Sequence, residues 1–211
     1  MSSPREKKTW AIALAGVVGG SVILSLLALL VISVTHEDIP GFVVEAQKAR
    51  DSQDLKGERA ALESLREADP HRIESLEELA RISRKEGRLV DAANLWGEVA
   101  ALDPLHASAH LEQARNLYAA GDYRSVLEIL SLDLLQNDPD AQTLHAMTLL
   151  GTGRTQEAEA LIARVMAAHP EHAAARLLHA DQLLLDDQLD AAEVAYSQLL
   201  DEAATAAGDL T

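Results

Sequence analysis

Two pairs of histidines have the spacing that comes nearest to a known chemistry. His106 and His110 are four residues apart. His169 and His172 are three apart, and at either spacing two imidazoles on one turn of a helix can share a Zn²⁺ ion. Each pair, however, lies beside a proline and across a predicted turn, where polar side chains cap helix ends or face water. We therefore expect neither a metal ion nor any other cofactor.

Catalytic signatures are also missing from the 211 residues. The sequence has no Gly-x-Ser-x-Gly, no phosphate-binding glycine loop and no His-Glu-x-x-His. It has no cysteine, which excludes disulfides, thiolate sites and lipidation through a thiol. Its carboxylates are spread along the chain without a focal cluster. The sequence predicts that the protein is not an enzyme.

An uncharged apolar segment runs from Trp10 to Val34. As a helix, these 25 residues are long enough to cross a bilayer. A cleaved signal peptide is the alternative, but its apolar region is usually shorter and ends at a small-residue cleavage site, which we do not find here. Gly16 and Gly20 form a Gly-x-x-x-Gly pair within the segment, a pattern that permits close contact with another membrane helix. We favour an uncleaved transmembrane helix over residues 10–34.

The residues that flank this segment indicate its orientation. Arg5, Lys7 and Lys8 precede it, whereas Glu37 and Asp38 follow it, which favours a basic cytoplasmic tail over residues 1–9. We expect a bacterial inner-membrane protein with one span and its C-terminal part in the periplasm. The reverse topology, with that part in the cytosol as in anchored mitochondrial import receptors, agrees less well with the flanking charges.

The rest of the chain is strongly acidic. After the three basic residues and one acidic residue that precede the span are set aside, 15 basic and 33 acidic residues remain, a net charge of −18. Phosphate-rich partners require the opposite sign, so the sequence argues against nucleic acid as a partner. Aromatic residues make up only 3% of the chain and no strand pattern is present, which together predict an all-α fold.

A period of 34 residues organises this helical part. Gly87 is followed by Gly121 at 34 residues, with Gly153 a further 32 residues on. A glycine just past a helix end accepts the left-handed conformation, which lets the chain reverse and start a second, antiparallel helix. Small residues before and after each glycine allow the two helices to approach closely, and prolines stop the second helix.

This pattern resembles the tetratricopeptide repeat (TPR) family. The resemblance predicts one N-terminal transmembrane helix followed by a TPR-type α-solenoid of about four to five helix–turn–helix repeats. The predicted segments are a linker at 35–41, a degenerate repeat or capping helix pair at 42–72, repeats at 73–106, 107–138, 139–172 and 173–206, and a tail at 207–211. The repeat-defining residues are Ala80, Gly87, Ala92, Trp96, Pro104, Gly121, Gly153, Ala158, Pro170 and Ala192.

In TPR proteins the first helix of each repeat lines an inner face that holds peptides or extended segments. Carried over to this chain, the resemblance implies a partner-binding groove lined by Arg81, Arg84, Lys85, Arg115, Tyr118, Leu144, Met147, Leu150, Leu177, Leu178, Asp181 and Leu184. Arg81 and Arg115 occupy one repeat position, so they form either a basic ladder for a partner carboxylate or ordinary ion pairs with neighbouring glutamates. The leucines form either an uncovered groove or a surface buried by residues 194–206 or by a second copy.

The function that these features imply is a membrane-anchored, non-catalytic module for protein–protein interaction. Anchored bacterial TPR proteins of this layout resemble assembly or scaffold factors, including those of c-type cytochrome maturation and chaperone-like proteins at the secretion translocon. The alternative is a permanent structural subunit of a larger membrane complex. The expected partner is another protein, either a peptide segment or a complex subunit, and self-association through the span or the groove is a further possibility.

Overall fold

The protein is described by a computed structural model that places residues 39–208 and the side chains of residues 39–205. The predicted span 10–34, with Gly16 and Gly20, lies outside this part of the chain. Among the residues that are described, no helix is long and apolar enough to cross a bilayer. Ten α-helices occupy residues 39–208: α1 (Ile39–Asp51), α2 (Leu55–Ala68), α3 (Ile73–Lys85), α4 (Leu89–Leu102), α5 (Ala107–Ala120), α6 (Tyr123–Leu130), α7 (Pro139–Gly151), α8 (Thr155–Ala168), α9 (Ala173–Leu185) and α10 (Leu189–Gly208).

The helices form five pairs, and every pair reverses at a residue in the left-handed region. These residues are 34, 34, 32 and 34 positions apart: Gln53 (φ 58°), Gly87 (φ 75°), Gly121 (φ 82°), Gly153 (φ 79°) and Asp187 (φ 61°). At each turn the amide of the next residue donates to the carbonyl five positions earlier, over 2.8–3.0 Å. This hydrogen bond closes a Schellman motif, which satisfies carbonyls at the end of the first helix. The glycine pattern therefore predicted the turns correctly, and Gln53 and Asp187 adopt the same conformation without glycine.

Small residues lie where the two helices of a pair meet. Ala80, Ala114, Ala146 and Ala180 occupy one repeat position of the first helices, and all four are fully buried. The equivalent position of the second helices holds Ala92, Val126, Ala158 and Ala192, which are at most 2% exposed. Short side chains at both positions let the helix backbones approach closely, so the larger side chains around them pack tightly.

The second helix of the third pair is shorter than the others. Helix α6 ends at Leu130 after 8 residues, and a 3₁₀ turn at Asp133–Leu135 follows it. Leu135 is buried and takes the place of a continued helix in the core. Pro139 is the first residue of α7, where a missing amide hydrogen costs nothing, so it begins a helix rather than ending one. The 32-residue interval is two residues shorter than the others, and the shortening thus lies in the segment after α6.

The chain divides into two compact units, with the boundary between Ser75 and Leu76 inside α3. In the first unit, α1 and α2 pack against each other through an apolar core that contains Ala46, Ala61, Leu62 and Leu65. Glu58 stands where other pairs have a small residue and is buried. It accepts a hydrogen bond from Arg50 across the turn over 2.7 Å, which pairs the buried charge. Helix α1 begins at Ile39, inside the segment predicted as a linker.

In the second unit, consecutive pairs stack on one another. Helix α5 packs against α4, α6 and α7, and α9 packs against α7, α8 and α10. Helices α5 and α7 therefore each contact the next first helix and the second helix between them, which is the arrangement of an α-solenoid. One core cluster joins α5, α6 and α7, and the next joins α7, α8 and α9. The all-α, repeat-based prediction is confirmed for this part of the chain.

We expect Asp187→Gly to raise the free energy of unfolding by about 1 kcal/mol, because a non-glycine residue in the left-handed region costs roughly that much. The aspartate also places negative charge at the C-terminus of α9, where the helix dipole disfavours it. The reverse change, Gly87→Ala, should cost about 1–2 kcal/mol, since a methyl group there meets no atom within 4 Å and only the backbone conformation is strained.

Urea denaturation of the two variants measures both effects, and Asp187→Asn separates the charge from the backbone term. Equal stability of the wild-type protein and Asp187→Gly would contradict the strain that we assign to this turn.

Candidate functional site

The basic end of the predicted inner face is neutralised by the protein's own carboxylates. Arg81 donates to Glu78 over 2.6 Å and to Glu77 over 3.3 Å, and its guanidinium carbon lies 5.7 Å from the ring centre of Trp96. The aromatic face attracts the cation, and the two glutamates balance its charge. Lys85 is exposed at the end of α3. Arg81 is thus held in the ion pairs that formed the alternative to a basic ladder.

A chain of charged contacts continues along the first helices. Arg84 on α3 approaches Glu112 on α5 at 3.7 Å. Glu112 accepts a 2.7 Å hydrogen bond from Arg115, whose second nitrogen donates to Asp140 on α7 over 2.8 Å. Asp140 also contacts His172, the residue before α9, at 3.0 Å. We call this set, Arg84, Glu112, Arg115, Asp140 and His172, the inter-pair ladder.

Sequence spacing placed Arg115 beside Glu112 but did not show its partner Asp140, which lies 25 residues away. The ladder crosses α3, α5, α7 and α9, so it links successive pairs rather than turns of one helix. Its members are partly exposed, with Asp140 at 47% and Arg115 at 35% side-chain exposure. Each contact is therefore worth at most about 1 kcal/mol. These contacts pair the arginines with carboxylates of the same chain.

Asp140 is the most constrained member of the ladder. Burial opposes its ionisation, but hydrogen bonds from His172 and Arg115 and the charge of Arg115 outweigh burial and hold its pKa below the ordinary value of 3.8. The pKa of Arg115 is raised: burial works against this, and Glu112 and Asp140 overcome it. The two groups therefore stabilise each other's charged form.

His172 joins the ladder and caps α9 at the same time. Its Nδ1 accepts a 3.2 Å hydrogen bond from the amide of Ala175. An amide can only donate, so Nδ1 carries no proton, and in the neutral ring Nε2 donates its proton to Asp140. The prediction that such histidines cap helix ends holds for His172.

The other histidines of the two candidate metal pairs point to separate partners. His110 Nε2 contacts the carbonyl of Pro104 at 3.1 Å, and His106 lies 3.8 Å from Glu77. His169 is the C-terminal cap residue of α8. Within residues 39–208, no group of three or more His, Asp or Glu side chains is placed to hold a metal ion.

The predicted apolar part of the groove separates into covered and uncovered residues. Leu144 is 6% exposed within the core cluster of α5, α6 and α7, so it is a core residue and not a groove residue. Tyr118 packs against the same cluster, Leu150 and Leu178 pack against the next one, and Met147 is half-buried.

The uncovered leucines are concentrated on the last first helix. Leu177, Leu184 and Leu185 are 47%, 50% and 76% exposed. Helix α10, which includes the predicted covering segment 194–206, leaves them open. Asp181 lies between Leu177 and Leu184 on α9 and accepts a hydrogen bond from the hydroxyl of Tyr196. Among the predicted groove residues, the exposed leucines thus lie on α9.

A cavity that sequence reasoning missed lies between α8 and α9. It encloses about 490 Å³ and is lined by Ile162, Ala163, Met166, His179 and Leu183, among others. None of these residues belongs to the predicted groove. The small side chain of Ala163 in its wall leaves space for a cavity, but an alanine in a repeat is equally consistent with close helix packing.

We expect Asp140→Asn to lower the free energy of unfolding by roughly 0.5–1 kcal/mol at pH 7, because it weakens the hydrogen bonds with Arg115 and His172 at a half-exposed site. The folded-state pKa of Asp140 lies below its ordinary value of 3.8. Its stabilising effect is therefore complete above that value and is lost as the pH falls through the lower folded-state pKa.

Urea denaturation of the wild-type protein and of Asp140→Asn measures this difference at pH 7, 5 and 4 and at a pH just below the ordinary pKa of Asp140. The matched control is Asp133→Asn, on the exposed 3₁₀ turn. A difference that already disappears between pH 7 and pH 5 would contradict the assignment to Asp140.

Comparison with known proteins supports the fold through solved structures, not through sequence matches. Neither a family model nor a curated protein matches the sequence. Among solved structures, MamA (residues 41 to end) from Desulfovibrio magneticus RS-1 has a TM-score of 0.65 at 13% identity, covering 81% of this chain and 98% of MamA. PilW, titled a widely conserved type IV pilus biogenesis factor, has a TM-score of 0.61 at 18% identity, covering 80% of this chain and 79% of PilW.

YrrB, titled a TPR protein with an unusual peptide-binding site, has a TM-score of 0.58 at 16% identity. The similarity covers 82% of this chain and 90% of YrrB. Identities this low show the fold and leave the function open. The helix pairs, their left-handed turns and these structural neighbours together identify the fold of this chain as that of the tetratricopeptide-repeat proteins.

Proposed function

We propose that the chain is a membrane-anchored, non-catalytic protein-interaction module that acts outside the cytoplasm in the assembly of a membrane complex. The observation that carries the proposal is the set of exposed leucines on α9, Leu177, Leu184 and Leu185, on an otherwise strongly acidic protein. Isolated exposed leucines are ordinary, whereas several on one helix beside an acidic surface are typical of a binding site.

The membrane anchor in this proposal rests on the sequence of residues 10–34 and on the basic residues before it. An anchor raises the effective concentration of the repeats near the membrane, so a modest affinity suffices for a partner that is located there. The role of PilW as a type IV pilus biogenesis factor and the peptide-binding site of YrrB illustrate the class of activity that this fold supports. The maturation of c-type cytochromes and the secretion translocon remain candidate settings.

The second candidate function is that of a permanent structural subunit. The same exposed leucines favour it, since 47–76% exposure of three leucines on one helix suits a surface that is always covered in a complex. The Gly16 and Gly20 pair would then contact another membrane helix. A subunit should be recovered from the membrane in a fixed ratio with its partners, and an assembly factor should come out largely alone or with mixed clients.

Partner recovery tests the proposal. The full chain, extracted in mild detergent, should retain a protein partner that a Leu177→Ser, Leu184→Ser variant loses, because the variant removes apolar contact area without disturbing the core. Leu105→Ser, which alters an 83% exposed leucine in a turn, is the matched control. Recovery of no partner by any of the three proteins would contradict the proposed function.

Topology is tested separately. An alkaline phosphatase fused after residue 211 should be active only if the C-terminal part lies in the periplasm. Activity of a cytosolic reporter at the same position instead would overturn the predicted orientation.

A further inference from the structure

Three leucines of the last helix pair occupy repeat positions whose equivalents are covered in earlier pairs. Leu177 is 47% exposed, but Leu111 and Thr143, at the same position of the two preceding pairs, are only 7% and 4% exposed. The same position is thus covered in the third and fourth pairs and open in the fifth.

Leu184 and Leu200 follow the same rule. Leu184 is 50% exposed, whereas its equivalent Leu150 packs against the core cluster of α7, α8 and α9. Leu200 is 70% exposed, whereas its equivalent Met166 packs against that same cluster. Leu150 and Met166 thus contact one core, so we treat Leu177, Leu184 and Leu200 as one surface, the terminal face.

In the third and fourth pairs, a helix of the following pair covers the equivalent surface. Leu111 is closed by α7, whose Ala141 and Leu144 belong to its core cluster. In the next pair, α9 supplies Ala175 to the core cluster, and Leu178 of α9 packs against this cluster as Leu150 and Met166 do. The terminal face is therefore shaped for an amphipathic helix that lies where a following first helix would lie.

The charges around the terminal face indicate which helix can bind there. In the second unit, Arg81 and Arg115 share one repeat position, and Arg115 reaches across to the acidic Asp140 of the following first helix. The equivalent residue of the last pair is Asp181. The sign is reversed, so a helix docked on α9 needs a basic residue where α7 has Asp140.

The wider charge of the last pair points the same way. Residues 173–208 contain seven acidic residues and one basic residue, a net charge of −6. The basic residue, Arg176, is engaged by Glu202. A second copy would bring an equally acidic surface against this one, and like charges across an interface are strongly disfavoured.

We propose that the terminal face binds an amphipathic helix of a partner protein that has an apolar stripe flanked by lysine or arginine. The inference rests on the proposed function, because it assigns the partner's chemistry to one surface of the same module. The apolar stripe packs on Leu177, Leu184 and Leu200, and a basic side chain pairs with Asp181.

Two synthetic peptides of about 18 residues, or five helical turns, test the proposal. Both carry the same leucine stripe, with lysine on the polar face of one and glutamate on the polar face of the other. Their binding to the full chain in a nonionic detergent is followed by fluorescence anisotropy, with protein-free micelles as the blank. We expect the lysine peptide to bind at least about tenfold more tightly than the glutamate peptide.

Variants assign this preference to the terminal face. Leu177→Ser with Leu184→Ser should weaken binding of the lysine peptide by about tenfold or more, and Asp181→Lys should reduce the preference for the lysine peptide. Leu105→Ser should leave both affinities unchanged, since its leucine is exposed away from α9. Circular dichroism confirms that each variant is folded.

Three results would overturn the proposal: equal binding of the two peptides, a preference that Asp181→Lys does not alter, or a concentration-dependent dimer that the double serine variant abolishes. The last of these would assign the terminal face to a second copy of the chain. A protein partner that is recovered equally by the wild-type and variant proteins would reject the terminal face and leave the proposed function standing. Recovery of no partner would reject the proposed function itself.

Discussion

Each helix pair depends on one backbone event, in which a residue adopts the left-handed conformation directly after the first helix. The hydrogen bond that closes the turn spans 2.8–3.0 Å in all five pairs of the described chain. Because the conformation and the bond are the same each time, the second helix leaves in the same direction each time. Alanine or valine can then fill the close contact between the helices, and residues about one repeat apart align on one face. Both the inter-pair ladder and the terminal face follow from this repetition.

The polar and the apolar residues of the inner face make different contacts. Arg84, Arg115 and Asp140 contact charged groups of neighbouring pairs, so their charges contribute to the stacking of the array. The stack has no following first helix to cover α9 among the described residues, and there Leu177 and Leu184 stay exposed. The surface left for a partner is therefore apolar with an acidic surround, which is the opposite of the basic ladder that Arg81 and Arg115 first indicated.

The turns and close helix contacts could be predicted from the sequence because their demands are local. A glycine after a helix and an alanine seven residues earlier are visible as types and spacings, and Gln53 and Asp187 fall at the same spacing without glycine. Burial of Leu144 could not be read in this way, because it depends on how the side chain leans towards α5 and α6. The Arg115–Asp140 contact and the shortening of α6 likewise depend on how neighbouring pairs pack, which residue spacing alone does not specify.

The surface that we propose for partner binding lies on α9. Site-specific photo-crosslinking in the native membrane tests it most directly, with a photoreactive residue placed at Leu184 in one protein and at Leu105 in another. Both leucines are at least 50% exposed, so accessibility alone does not distinguish them. We expect one defined crosslinked partner from Leu184 and none from Leu105. Crosslinks from Leu105 to that partner, with none from Leu184, would contradict this expectation.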